Sequence, residues 1–285
     1  MPTDRTDRTD PADRDTQAAR AQRFRALHEG PDMLLLPNPW DAGSARLFEW
    51  LGYAALATTS GGFAASAGRL DGGVSRDEAL AHGAAIAAAV SLPVSADLEN
   101  AFADEPAGVA GTIRLAAAAG LAGCSVEDYT RRDDQPIYDL GLARDRIAAA
   151  ADAAQDTPGP LVLTARAENY LHGRPDLADT IGRLQAYQEA GADALYAPGL
   201  TSLDDIRTVV REVDRPVNVL ALASGPGLDE LAAAGVRRVS VGSAFAQAAY
   251  GAAVQAAREL REQGSFAFFP LAAEGRAAIR DAFPG

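Results

Sequence analysis

Three short apolar runs each end in carboxylates: Val94-Ser-Ala-Asp97-Leu-Glu99, Gly123-Cys-Ser-Val-Glu127-Asp128 and Leu163-Thr-Ala-Arg166-Ala-Glu168. They recur at roughly the pitch of a strand plus a helix. A carboxylate at the end of a buried strand is costly unless it is paired or holds a cation. Asp97 and Glu99, two residues apart on an extended strand, point to the same side, and Glu127 on the neighbouring strand joins them. Carboxylates without a nearby His or thiolate form a hard oxygen site, suited to Mg2+ (or Mn2+) with waters completing an octahedron. The alternative for the same spacing is a set of acids at helix caps or in loops, facing solvent.

Other residues could serve such a site. The turn Thr58-Thr-Ser60-Gly61-Gly62-Phe63 is built from small residues whose backbone amides could cradle a carboxylate or phosphoryl group. Arg166 stands in line with the acids, either to grip a substrate carboxylate through two N–H groups or to pair with Glu168 or Glu127. After the second acid pair, the segment from Tyr129 to Tyr138 brings Arg131, Arg132 and Tyr138, as a mobile loop that could close and exclude water or as a solvated one. His28 and His82 fall in predicted helices, while His172 follows the third acid-bearing run near the same end. Cys124 lies inside a predicted strand and reads as a buried structural thiol.

These residues need a scaffold that gathers strand ends. Strand-like runs occur at 33–36, 54–60, 93–99, 123–128, 161–168, 194–199, 216–222 and 238–242. Between them, 76–90, 106–119, 142–154, 177–190 and 203–213 carry Ala, Leu and Ile at helical spacing, and Gly52, Gly120, Gly191 and Gly235 sit where helices should stop. Strict alternation favours a parallel sheet, and eight units favour closure into a (β/α)8 TIM-type barrel, whose functional groups gather at the C-terminal ends of the strands. No GxGxxG follows the first strand, which weakens a dinucleotide-binding reading. Residues 1–15 are polar, charged and read as a disordered tail, with one barrel domain and a C-terminal helical extension over 16–285. The extension brings Phe266, Phe268 and Phe269 close together, a patch suited to a subunit interface.

Composition narrows the chemistry. All 26 basic residues among the 285 are Arg. Without Lys, a Schiff-base aldolase, a pyridoxal-phosphate enzyme and a Walker-type phosphate loop cannot be built. The single Cys excludes an intrachain disulfide and a CxxC site. A net charge of −13 argues against nucleic-acid or anionic-membrane binding, so a small anionic substrate needs a metal and one or two arginines to offset the field. No apolar run reaches membrane-spanning length and the N-terminus opens on charged repeats, so the expected location is cytoplasmic.

The ordered set of motifs resembles the isocitrate lyase and phosphoenolpyruvate mutase superfamily. The matching positions are Leu36-Pro-Asn-Pro-Trp40-Asp41-Ala-Gly-Ser44-Ala-Arg46, Ser60-Gly-Gly, Asp71, Asp97-Leu-Glu99, Glu127-Asp128, Arg166-Ala-Glu168, Pro216-Val-Asn218-Val-Leu and Gly235-Val-Arg-Arg-Val-Ser-Val-Gly242. They cover about residues 20 to 265. The resemblance implies a Mg2+-dependent, lyase-type enzyme that makes or breaks a C–C or P–C bond next to the carbonyl of a small 2-oxo acid or enolpyruvyl substrate, through a metal-stabilised enolate. It implies that Asp97, Glu99 and Glu127 hold the metal directly or through water, with Asp71 behind them. Trp40, Asp41, Ser60, Gly61, Gly62, Arg166 and Asn218 would bind substrate, and Arg166, Asp71, Arg132 and Tyr138 would be the catalytic set. It also implies a homodimer or homotetramer that exchanges a C-terminal helix. The chain departs from the pattern in the loop after the fourth strand, which holds neither the Lys-Arg/Lys-Cys-Gly-His motif of the lyases nor the Asn of the mutases. Cleavage of isocitrate or methylisocitrate by the Cys mechanism is therefore not expected. The other reading is a non-catalytic barrel that binds a metal and a 2-oxo acid as a sensor or scaffold.

Overall fold

A computed structural model describes residues 16–283. The tail expected over 1–15 lies outside the described residues. Eight parallel strands alternate with helices: β1 (Leu34–Leu36), β2 (Leu56–Ala57), β3 (Val94–Asp97), β4 (Gly123–Glu127), β5 (Val162–Arg166), β6 (Ala194–Tyr196), β7 (Val217–Leu220) and β8 (Arg238–Ser240). They are hydrogen-bonded in the order β1-β8-β7-β6-β5-β4-β3-β2. The remaining seam, between β1 and β2, is spanned by the Ala57 amide donating to the Pro37 carbonyl at 3.2 Å. The result is a nearly closed (β/α)8 TIM barrel.

Local chemistry explains the alternation. Gly52, Gly120, Gly191 and Gly235 all adopt left-handed φ (86, 82, 103 and 84°) directly after helices, where a side chain would be strained. Helix Arg76–Ala89 starts on a Ser75/Glu78 capping box and helix Ala42–Trp50 on an Asp41/Ser44 one. The Ala-rich faces of the helices pack onto the outside of the strands, with Ile86, Ile113, Ile147 and Leu184 buried against them.

Every strand but β1 stops earlier than its apolar run suggests, β3 and β5 each by two residues. β3 ends at Asp97 and β5 at Arg166. Beyond β3, Glu99, Ala101 and Phe102 adopt left-handed φ of 50, 59 and 56°, so Glu99 does not continue an extended strand with Asp97. The cause is local: the Asp97 carboxylate accepts from the Glu99 amide at 3.3 Å and folds the chain into a turn.

Helix Gln17–Glu29 closes the N-terminal end of the barrel. Phe24 fills the space above Gly123, where an added Cβ would meet its ring at 2.8 Å. Burial, with Arg238 beside it, holds the His28 imidazole down to about 3. The unfolded chain therefore binds a proton below its ordinary pKa of 6.5 that the folded chain refuses until about pH 3. The associated stability is complete above pH 6.5 and is lost as pH falls through that window, at up to about 1.4 kcal/mol per pH unit. His28→Gln is expected to flatten the dependence of Tm on pH between 6.5 and 4. Parallel Tm curves for the two proteins would contradict it.

At the other end of the chain, helix Ala244–Gln263 stops at left-handed Gly264, and helix Phe269–Ala282 returns against helix Ala42–Trp50 of the same chain. Phe266, Phe269, Leu271 and Ile279 remain exposed along this extension. No helix of the described residues is long and apolar enough to cross a membrane.

Candidate active site

The acid-bearing strand ends meet at the C-terminal mouth of the barrel, and one guanidinium ties them together. Arg166 ends β5 in register with Glu127 on β4 and Tyr196 on β6. Its Nη1 donates to Asp97 at 3.0 Å and its Nε to Glu168 at 2.8 Å, while Nη2 pairs with Glu127 at 3.2 Å. Its face lies 5.1 Å from the Tyr196 ring centroid. Three of the five N–H groups are thus committed to carboxylates, leaving one on each Nη for a ligand. Of the two readings of this residue, the structure shows the pairing with Glu168 and Glu127, and the same side chain lines the cavities of the mouth. Glu168 aims the fork, and its own amide donates to Asp128 at 2.8 Å.

Glu99 is held differently. Its Oε2 pairs with Arg131, while Oε1 is buried with no hydrogen-bond partner. Burial pushes its carboxyl up to about 7, opposed by Arg131 and reinforced by Asp97 and Asp71. Burial also raises Glu127 well above the carboxylate range, with Glu168, Asp97 and Glu99 adding to the effect against Arg166. Arg131 reaches this position because its own φ is left-handed at 63°, and its guanidinium lies 5.2 Å from the Phe102 ring. Arg132, the next residue, is exposed, with its guanidinium donating to Gln135 at 3.4 Å and its amide to Thr130 Oγ1 at 3.0 Å. Of the two loop arginines, Arg131 is the one brought to the mouth.

The other expected site residues divide by location. Ser60 opens helix Ser60–Ser66; its amide donates to Asp97 at 3.1 Å, and the Gly62 amide donates to Thr59 Oγ1 at 3.2 Å. Of the residues expected to form a cradle, Ser60 lines both cavities of the mouth and Gly61 lines neither. Gly61 has no room for a side chain, since a Cβ would lie 2.7 Å from Ser243 Oγ and 3.1 Å from Asp71 Oδ2. Asp71 stands exposed at the rim, and Asn218 lines the wall below it with its Oδ1 buried and without a partner. Trp40 and Asp41 do not line the mouth: Asp41 caps helix Ala42–Trp50, and the Trp40 carbonyl faces His82 Nε2 at 3.0 Å. Tyr138 is also turned away, buried under the Arg146 guanidinium at 4.0 Å with its hydroxyl on Asp104. Asp128, one residue past Glu127, points out of the barrel as strand alternation requires, and binds Tyr187 Oη at 2.6 Å and Arg183 at 3.2 Å. His172 stacks on Tyr129 at 3.7 Å and approaches Glu168 at 3.6 Å, so it forms part of the wall.

Two cavities share this mouth. One of about 220 Å³ runs from Ser60 and Asp97 down into the barrel; the other, about 430 Å³, lies under the loop after β4. Among the described residues no three His, Cys, Asp or Glu side chains form a ready metal cage, because Arg166 and Arg131 occupy the acids. The donor set nevertheless fits a hard divalent ion. Asp71, Asp97, Glu99, Glu127 and Glu168 face two guanidiniums, and Glu99 Oε1 is an orphaned buried acceptor. Spread carboxylates of this kind suit Mg2+, which keeps much of its water.

A TIM barrel with acids gathered round one arginine at the C-terminal mouth is the class that fold and site define. The profile of the family described as phosphoenolpyruvate phosphomutase matches residues 24–261. The chain belongs to the phosphoenolpyruvate mutase/isocitrate lyase superfamily, whose members act on 2-oxo acid substrates as lyases, mutases and hydrolases. It is 56% identical to a Burkholderia cenocepacia J2315 structure whose assignment goes no further than lyase/mutase, with TM-score 0.90 over 93% of this chain and 95% of that one. It is 31% identical to the 2-methylisocitrate lyase of Escherichia coli K12, over 85% of this chain and 84% of that one. A phosphonopyruvate hydrolase solved with oxalate and Mg2+ superposes with TM-score 0.78 at 26% identity, covering 87% of this chain and 89% of that one.

Proposed function

We propose that the protein is a Mg2+-dependent enzyme that makes or breaks a C–C or P–C bond next to the carbonyl of a small 2-oxo acid or enolpyruvyl substrate. The observation that carries this reading is the excess of buried carboxylate round Arg166, with Glu99 Oε1 orphaned. Asp97, Glu99 and Glu127 would hold the ion, directly or through water. When bound, it supplies Lewis-acid stabilisation of the negative charge that develops on the carbonyl oxygen. The chain's own groups do the rest. The Gly61 amide and Ser60 hydroxyl receive the substrate carboxylate, and the remaining Arg166 N–H groups orient the anionic end from the opposite side. Arg131 covers the mouth and limits water. No thiol acid serves here, since Cys124 is buried in β4 with its thiol pushed up to about 12. The exposed Phe266, Phe269 and Leu271 suit a homodimeric or homotetrameric contact, which sedimentation would test.

The test is turnover of oxaloacetate, phosphonopyruvate, phosphoenolpyruvate and substituted malates with and without Mg2+. Asp97→Asn is expected to lower kcat/KM by at least about 100-fold and to weaken the Mg2+ dependence. Unchanged activity in that variant would sink the assignment. The missing loop motif favours one competing reading, a binder without turnover; tight, Mg2+-dependent oxalate binding with no product from any substrate would establish it.

A further inference from the structure

The interior of a TIM barrel is normally packed by branched aliphatic side chains in layers. Here the shaft beneath the mouth is lined by Ser95, Ser125, Thr164, Asn218, Ser240 and Arg238, around a cavity of about 220 Å³ that communicates with Ser60 and Asp97. Arg238 is the unusual member. It is 4% exposed, and among the described residues it makes no ion pair with a carboxylate. Its Nη1 donates to Thr164 Oγ1 at 2.7 Å and faces His28 Nε2 at 3.0 Å; its Nε is buried with no partner. His28 offers no charge in return. Its Nδ1, 2.7 Å from the Phe24 carbonyl, carries the ring proton, which makes Nε2 a neutral acceptor. Burial lowers Arg238 to about 10, still charged at neutral pH.

Besides these dipoles the guanidinium meets only the Phe24 ring, 5.9 Å away, and a buried cation faced by neutral groups alone is strongly disfavoured unless a counter-charge reaches it. The acids of the same cavity are elsewhere: Asp97 is engaged by Arg166 and the Ser60 amide, and Asp71 stands at the rim. Thr164 precedes Arg166 by two residues on β5, so Arg238 lies about one layer, roughly 6–7 Å, below the mouth guanidinium. Asn218 shares the wall, with its Nδ2 donating to Ser240 Oγ at 3.0 Å and its Oδ1 without a partner; turning the amide over lets the Ser240 hydroxyl donate to Oδ1 and frees Nδ2 for the cavity.

We propose that the shaft beneath the catalytic mouth is a second anion site, in which Arg238, Thr164 and Asn218 receive a carboxylate-sized monoanion. The occupant is either a free anion or the remote carboxylate of a substrate that enters head-first from the mouth. The site requires neither Mg2+ nor turnover, so it stands or falls apart from the enzymatic reading.

The test uses the full chain in EDTA at constant ionic strength, balanced with the bulky sulfonate HEPES, which carries no carboxylate. Raising formate from 1 to 100 mM is expected to raise the wild-type Tm by at least about 2 °C, and Arg238→Met should abolish the shift. Formate acting alone identifies a free-anion site. An Arg238-dependent shift seen only with a dicarboxylate such as malate identifies a substrate subsite. Equal responses of wild type and Arg238→Met to both anions would overturn the proposal. If Arg238→Met does not fold, wild-type crystals soaked in bromide decide the matter: an anomalous peak beside the Arg238 guanidinium supports the site, and its absence refutes it.

Discussion

Arg166→Met is expected to lower kcat/KM by about a thousandfold and to cost about 3–5 kcal/mol of stability. Both effects have one cause. The side chain is the shared partner of Asp97, Glu127 and Glu168, which are 15, 9 and 2% exposed along their side chains. Methionine fills the volume and leaves three carboxylates facing one another. In metal-free buffer they can relieve the repulsion only by binding protons. The folded variant should then hold more protons than the unfolded chain above the ordinary carboxylate pKa of 4.5, so its stability falls as pH rises. Urea denaturation should show a larger deficit at pH 8 than at pH 5.5. Arg166→Lys retains a charge but not the fork, and should recover part of the stability and little of the activity. An equal deficit at both pH values would mean that the acids do not depend on this guanidinium.

The second large effect is expected from a residue outside the cavity. Arg146 lies on the buried face of helix Leu140–Gln155 and is 1% exposed. It donates to the carbonyls of Glu127 (3.2 Å) and Ala103 (3.0 Å) and to that of Asn100, and stacks on Tyr138. One guanidinium thus joins the end of β4 to the turn that carries Glu99, Ala101 and Phe102 in left-handed conformations. Arg146→Met would leave buried carbonyls without donors, each costing about 1–3 kcal/mol though not additively, for an expected loss of about 3–5 kcal/mol. Because the turn positions Glu99, Mg2+ affinity measured by calorimetry should fall at least about tenfold in the same variant. Wild-type stability with unchanged metal affinity would show that the turn is held by something else.

Arg146 also shows where sequence reading stops. An Arg among Ala143, Ile147, Ala150 and Ala154 at helical spacing signals a buried cation, yet nothing in the chain order says that its partners are carbonyls 19 and 46 residues away. Arg131 and Arg132 are indistinguishable as adjacent letters. A left-handed φ at the first sends one to Glu99 and leaves the other in solvent. Tyr138 and Arg132 share a loop with the mouth without lining it, and Asp41 is consumed by a helix cap whose Asp-x-x-Ser spacing was visible in the chain.

The alternation of apolar runs with Ala-rich helices, punctuated by glycines at helix ends, was enough by itself to determine eight parallel strands, the barrel and the end at which its acids gather. Those are consequences of local periodicity and chain direction, which each segment carries alone. Which acids share a cation, which arginine covers them, and that Arg238 has no carboxylate partner among the described residues were decided only in three dimensions. Burial and pairing depend on segments far apart in the chain: Asp97 with Arg166 across 69 residues, and Arg238 with His28 across 210. The charge of a side chain is written in the sequence, whereas what neutralises it is a property of the closed barrel.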